Sequence, residues 1–305
     1  MSTHHLVRRG VSPQWAPAAH LSGARGYAAW SVVDARTPAV HTGFGLGRID
    51  AGGSLPAHVH SYEESLYVLE GHVVVQTAGE AVRLGPGDYG LIPVGVAHSA
   101  RNDGQVEAVF ARMSAPTPRP EHDYDTLVLA DLSGADLPDT SPVAADVRDP
   151  RVRRYGHIDQ SGLDPSLQTQ DRLEVSASMR TALLVYSGIA VRMMVDTDLG
   201  ATLSTMFMVQ YQPDGVAGAH DHPFEETYLI VEGSVEATFD GKPYRLEVGD
   251  VAWAGVGCVH SFRNVGQGPV RWLETQAPQP PSRHSYRFAR DWDYLRQALE
   301  PGGPT

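Results

Sequence analysis

His58 and His60 stand one residue apart, Glu64 follows four positions after His60, and His98 lies further along the chain. In an extended strand residues i and i+2 share a face, so the two imidazoles of His58-Val59-His60 present side by side. Three imidazoles and one carboxylate form a hard-to-borderline donor set. It suits Mn(II), Fe(II), Ni(II), Co(II) or Zn(II), with availability deciding among them as much as affinity. Four protein ligands on one side of an octahedral ion leave two positions for water, substrate or O2, the arrangement of a catalytic site rather than a closed structural one. A lone histidine on a strand is ordinarily a satisfied core or surface residue. Here the same set occurs twice, as His58, His60, Glu64 and His98 and again as His220, His222, Glu226 and His260. Two metal sites per chain are therefore expected. Glu63 and Glu225 are the fallback ligands if a bulge shifts the strand register.

The two sets belong to an internal repeat. Gly53–Gly71 aligns with Gly215–Gly233, and Gly87-Asp88, Gly95, His98 and Asn102 align with Gly249-Asp250, Gly257, His260 and Asn264, always at an interval of 162 positions. Each copy reads as short antiparallel strands. Val73–Thr77 and Val235–Phe239 are strand runs ending at turns, and Asp240-Gly241 is a two-residue hairpin signal. Short strands with frequent Gly and Pro predict an all-β sandwich or barrel in each half. Two domains are expected, 1–150 and 151–305. Pro116 to about Asp171 reads as a linker, Val175–Val195 returns to strand patterning, and His284–Leu295 reads as a short terminal helix.

The formal net charge of -12 and the lack of a basic block exclude the phosphate neutralisation on which nucleic-acid binding depends, and disfavour an anionic membrane surface. No run approaches the ~20 apolar residues of a membrane-spanning helix. The single cysteine, Cys258, excludes an internal disulfide framework and a zinc site built from several cysteines. Arg8-Arg9 near the start is not followed by an apolar run, so a cytoplasmic location is expected. His4-His5 reads as part of a frayed end rather than a metal site.

These motifs resemble those of the cupin superfamily, in its two-barrel bicupin form. The first family motif fits Gly52, His58, His60, Glu64 and Gly71, and the second fits Gly87, Pro93, Gly95, His98 and Asn102. The second copy departs in two places: only four residues separate Gly215 from His220, and Gly255 stands where proline is usual. Neither departure touches a ligand. The resemblance implies an all-β fold of two tandem jelly-roll (cupin) β-barrels with a metal inside each. It implies a metal-dependent enzyme, first a dioxygenase acting on a small carbonyl, enol or aromatic compound. The alternatives are a redox-neutral hydrolase, decarboxylase or isomerase, like ureidoglycine aminohydrolase or oxalate decarboxylase, and a non-catalytic small-molecule binding bicupin. The partner is then a small-molecule substrate, and the assembly a monomer or homodimer.

On a regular strand Leu66 and Val68 face the first metal, and Tyr228 and Ile230 the second. Arg48 and Gln210 occupy equivalent positions on the preceding strands. Facing inward, Arg48 would bind an anionic group and Gln210 a carbonyl. Met206, Met208, Trp253 and Phe262 would enrich the second pocket, and Cys258 shares a face with His260. Tyr228 and Gln210 offer the second metal polar groups that can steer protons, so the second barrel is expected to carry the chemistry.

Overall fold

The computed structural model describes residues 4–129, 147, 152–159, 163, 186–279 and 287–288. Among these the elements are strands, apart from one 3-10 segment at Pro120–Asp125. No helix among them is long and apolar enough to cross a membrane.

The chain forms two compact units, and neither is one run of sequence. The first comprises Pro13–Asp159 with Met194–Ser204, and the second Met1–Ser12, Gln160–Met193 and Thr205–Thr305. A single cut at 150 therefore does not describe them. The reason is a pair of arm strands at the sheet edges. Tyr155–His157 pairs with Asp88–Ile92 in the first unit, and His5–Arg8 pairs with Val251–Ala254 in the second. Each arm precedes one barrel in sequence and completes the edge of the other, which caps ladder groups that would otherwise be unpaired. His157 meets Asp88 at 2.7 Å, and Arg9 meets Asp250 at 2.5 Å at the equivalent place.

The first sheet runs in the spatial order Tyr155–His157, Asp88–Ile92, Glu63–Glu70, Ala108–Ala115, Gly43–His60, His98–Arg101, Val73–Thr77, Ala81–Leu84. The second repeats it with His5–Arg8, Val251–Ala254, Glu225–Glu232, Val270–Ala277, Thr205–Asp221, His260–Arg263, Ser234–Phe239, Lys242–Glu247. These are the two jelly-roll barrels. The long strand of each pairs along its first half with Ala108–Ala115 or Val270–Ala277, then along its second half with the strand that opens on His98 or His260. Alternate side chains of every strand fill an apolar interior: Ile49, Leu66, Val68, Val75 and Phe110 in the first barrel, Tyr211, Tyr228, Phe239, Phe262 and Trp272 in the second.

The hairpin expected at Asp240-Gly241 forms, with φ of 49° and 77° at the two turn residues, the positive pair that a tight primed turn requires. The expected linker is partly structured: Thr126–Val128 pairs with the strand carrying His58 and His60, and Tyr155–His157 forms the edge already described. The rest of its interior lies largely outside the described residues. The expected terminal helix is corrected where it can be seen, because Arg287–Phe288 is extended and pairs with His220 and Asp221. The remainder of 284–295 lies outside the described residues, as do 175–185. His5 is not a frayed end but a ladder partner of Ala254.

Candidate metal centres

The first ligand set forms where three strands meet. His58 and His60 end the long strand, and a register shift between Leu55 and His58 re-aims that end. His98 lies directly opposite His58 in the ladder, and Glu64 is the second residue of Glu63–Glu70, one strand removed from the long strand across Ala108–Ala115. All four side chains are buried. Each imidazole uses Nδ1 on a backbone carbonyl: His58 on Pro56 at 2.8 Å, His60 on Tyr62 at 2.6 Å, His98 on Val96 at 3.0 Å. A carbonyl only accepts, so Nδ1 carries the proton and a neutral ring presents a bare Nε2. Burial keeps the rings neutral. It takes His58, helped by His98, down to about 3, and His60 and His98 to about 4. Neutral imidazoles need lose no proton to bind an ion. The Nε2 of His60 is buried with no hydrogen-bond partner, a vacancy in bonding that a cation would fill. The residues present therefore fit a divalent ion.

The second barrel repeats this arrangement. His220, His222 and His260 use Nδ1 on the carbonyls of Gly218, Phe224 and Cys258 at 2.7, 2.9 and 2.9 Å. Ring separations match between barrels: 4.1 and 4.3 Å for the pair across the ladder, 6.1 and 6.0 Å within each His-x-His, 4.9 Å for the third pair in both. The ligand atoms of His220, His222 and His260 all lie within 4.8 Å of one another. Tyr62 stacks on His60 at 3.9 Å and Phe224 on His222 at 4.0 Å, fixing the ring planes.

The carboxylates differ in how they are held. Glu64 accepts from Arg112 Nη2 at 2.5 Å and lies 3.9 Å from His60 Nε2. Burial would raise its pKa, but Arg112 and the imidazoles outweigh that and bring it to about 2. Arg112 also donates to the Tyr27 hydroxyl at 2.9 Å. Glu226 instead accepts from Gln276 at 2.6 Å and from the Tyr228 hydroxyl, and its Oε2 lies 2.7 Å from His222 Nε2 and 3.3 Å from His260 Nε2. At the place of Arg112 stands Glu274, whose carboxyl is pushed well above its ordinary value by burial and by Glu226. It accepts from the Trp272 indole at 2.8 Å.

A cavity of about 90 Å³ is lined by residues that include Arg112, Tyr62, His20, Ser114, Trp30 and Tyr124; none of the four ligands lines it, and Arg112 joins it to Glu64. His20 is half-buried, and burial with the nearby Arg112 charge lowers it to about 4. In the second barrel Tyr211, Tyr228, Phe239, Phe262 and Trp272 stand where the first has Ile49, Leu66, Thr77, Ala100 and Phe110. Larger rings leave less room in a barrel of the same strand plan.

Several sequence expectations are corrected. Arg48 does not reach the first centre: it pairs with Glu107 at 3.7 Å and lies over Trp15 at 5.0 Å, while its neighbour Ile49 takes the inward face. Gln210 is buried on the face opposite Val209 and Tyr211, donating to the Leu163 carbonyl at 2.8 Å and accepting from Arg271. Met206, Met208 and Trp253 are likewise buried, on the faces opposite Phe207, Val209, Ala252 and Ala254. Glu63 is no fallback ligand, because its carboxylate accepts from Thr202, Leu203 and Ser204 backbone amides at 2.8–3.3 Å. Tyr228 does stand at the second centre, with Leu66, Val68, Ile230, Phe262 and Cys258 in the inner clusters. The sequence reading missed Arg112, Glu274 and Gln276. The constant interval of 162 would have aligned Arg112 with Glu274 and Ser114 with Gln276, but nothing local marks that strand as the one beside the ligands.

Comparison with known proteins agrees with this architecture. The family described as Cupin domain matches residues 45–113 and again 207–275. A polyketide synthase component named CurC, from Streptomyces cyaneus, is 31% identical over 90 residues, covering 28% of this chain and 58% of the relative. The chain thus spans a little over half the length of that curated relative. Among solved structures, an oxalate decarboxylase from Lactobacillus farciminis in a formate complex superposes with a TM-score of 0.62 at 17% identity, covering 94% of this chain and 89% of the other. A salicylate 1,2-dioxygenase from Pseudaminobacter salicylatoxidans superposes with a TM-score of 0.66 at 14% identity, covering 91% and 84%. At such identities the likeness concerns the fold. One Cupin domain match falls in each barrel, which is consistent with a two-barrel bicupin.

Proposed function

We propose that the protein is a divalent-metal-dependent enzyme that binds a small organic anion in its first barrel and cleaves it with O2, as a dioxygenase. The observation that carries this reading is Arg112, which lines the cavity and holds the ligand Glu64 at 2.5 Å. Each barrel holds one ion, Fe(II) or Mn(II) in the first. Bound there, the ion supplies Lewis-acid polarisation of the substrate oxygens and open positions for O2. The protein's own groups do the rest. His58, His60, His98 and Glu64 hold the ion, and Arg112 attracts and orients a carboxylate or enolate. Tyr62 keeps the His60 ring in plane, and neutral His20 offers a hydrogen bond without adding charge. Both structural relatives named above are called after small-acid substrates, which is compatible with an anion-binding pocket. The second barrel, filled by aromatic rings, supports the fold. This moves the chemistry from the second barrel, which the polar side chains in the sequence favoured, to the first.

A redox-neutral decarboxylation is the second reading. It is favoured by Glu274, a buried carboxyl that burial and Glu226 push well above its ordinary value, toward a proton-donating role. Full-length protein reconstituted with Fe(II) or Mn(II) should be assayed against small hydroxy, keto, dicarboxylic and aromatic acids, with O2 uptake and CO2 release followed in air and under anaerobic conditions. The expected result is O2-dependent turnover, lost in His58→Ala/His60→Ala and retained in His220→Ala/His222→Ala. Anaerobic CO2 release would select the second reading. Turnover that survives loss of the first ion would overturn the assignment to the first barrel, and absence of any turnover would leave a binding protein.

A further inference from the structure

His5, Asp240 and Cys258 gather at one point in the second unit, on three separate elements. His5 is on the arm strand paired with Val251–Ala254. Asp240 is the first residue of the primed turn, and Cys258 sits in the loop leading to His260. Their ligand atoms all lie within 4.8 Å of one another. Asp240 is already fixed in place. Asp240 accepts from the Val259 amide through Oδ1 at 3.1 Å and donates its own amide to the Val259 carbonyl at 2.7 Å, leaving Oδ2 directed elsewhere.

The state of His5 points to a cation. Its Nε2 meets the Tyr244 hydroxyl at 2.9 Å, and its ring stacks on Phe239 at 5.7 Å. Its Nδ1 is buried without a hydrogen-bond partner and faces Asp240 Oδ2 at 3.7 Å. A cation placed between His5 Nδ1 and Asp240 Oδ2 would satisfy both atoms, with Nε2 then donating to the Tyr244 hydroxyl. His4 brings a second imidazole to the same oxygen, its Nδ1 at 3.9 Å.

We propose that His5, Asp240 and Cys258 bind a third divalent ion distinct from the two barrel ions. One thiolate, one imidazole and one carboxylate select a borderline ion of the Zn(II) or Co(II) type over Mg(II) or Ca(II). Bonds to such an ion place ligand atoms roughly 3.3–3.8 Å apart, so the donors need close only slightly. The thiol proton leaves on binding, as coordinated thiols do. The ion would fasten the arm to the loop whose Cys258 carbonyl accepts from His260 Nδ1 at 2.9 Å, and so steady a ligand of the second barrel from behind.

Cys258 is the chain's only cysteine, so a thiolate-to-cobalt charge-transfer band can have no other source. Ion-free full-length protein titrated with Co(II) should show that band and saturate at three ions per chain. Cys258→Ser should lose the band and one ion while keeping two. Because Cys258 is buried, His5→Ala and Asp240→Asn serve as variants that leave the thiol in place; each should also lose the band and the third ion. His58→Ala/His60→Ala should keep the band, which separates this site from the barrel sites. Saturation of the wild-type protein at two ions without the band would overturn the proposal. So would a band of undiminished strength in His5→Ala.

Discussion

Leu66, Arg112 and Ser114 in the first barrel occupy the positions of Tyr228, Glu274 and Gln276 in the second. Around them the two barrels share eight ligands, one ladder register and ring separations equal to within 0.2 Å. Identical ligands therefore sit in opposite fields. In the first barrel a guanidinium neutralises the ligand carboxylate and faces a cavity. In the second, neutral donors hold the carboxylate, and burial together with Glu226 pushes the nearby Glu274 carboxyl well above its ordinary value. On the proposed reading, a duplicated donor set is turned toward an anion, or closed to one, by changing residues outside that set.

The largest expected effect comes from acid. In ion-free protein the first barrel holds His58, His60 and His98 at about 3 to 4, against 6.5 for an exposed imidazole. Above pH 6.5 these groups leave stability unchanged. Between 6.5 and about 4 the unfolded chain binds protons that the folded rings refuse, so stability falls as pH falls, then levels off near 3. Glu64, at about 2 against 4.5, adds a loss in the same direction between 4.5 and 2. Together these amount to several kcal/mol, on the order of 1.4 per pK unit. Urea unfolding in the presence of chelator checks this, and a flat profile down to pH 4 would break it.

Next in size is Arg112→Met, which leaves Glu64 buried without its partner and should destabilise by about 3–5 kcal/mol. Its counterpart Glu274→Gln keeps an acceptor for Trp272 and removes a strained acid, so it should change stability by under about 1 kcal/mol. Similar costs for the two variants would end the electrostatic contrast. Tyr228→Phe removes a donor to Glu226 and should weaken the second ion by roughly 10–100-fold while leaving the first untouched, as read by competitive metal titration. An equal loss at both sites would show that the hydroxyl is not acting locally.

The repeat, the two clusters of three histidines and a glutamate, the Asp240-Gly241 turn and the two-barrel plan were legible because each rests on local spacing. A His-x-His needs only the two-residue period of a strand, and a primed turn only two residues that accept positive φ. Arg48 and Gln210 misled for the complementary reason. Their equivalence across the repeat was real, but the face each takes depends on which neighbour fills the core, and Ile49 and Tyr211 took the inside.

The amino-acid sequence by itself determined the duplication, the donor set of each centre and the all-β class, because these follow from residue type and short-range period. Tertiary structure decided what stands beside the donors. Arg112 meets Glu64 only because Ala108–Ala115 lies antiparallel to Glu63–Glu70, with Arg112 opposite Leu66. The arms reach their edges only because each barrel leaves an unpaired ladder for a strand distant in sequence. Such contacts join residues far apart along the chain, and their register is set by closing the barrel around its core rather than by any signal local to either partner.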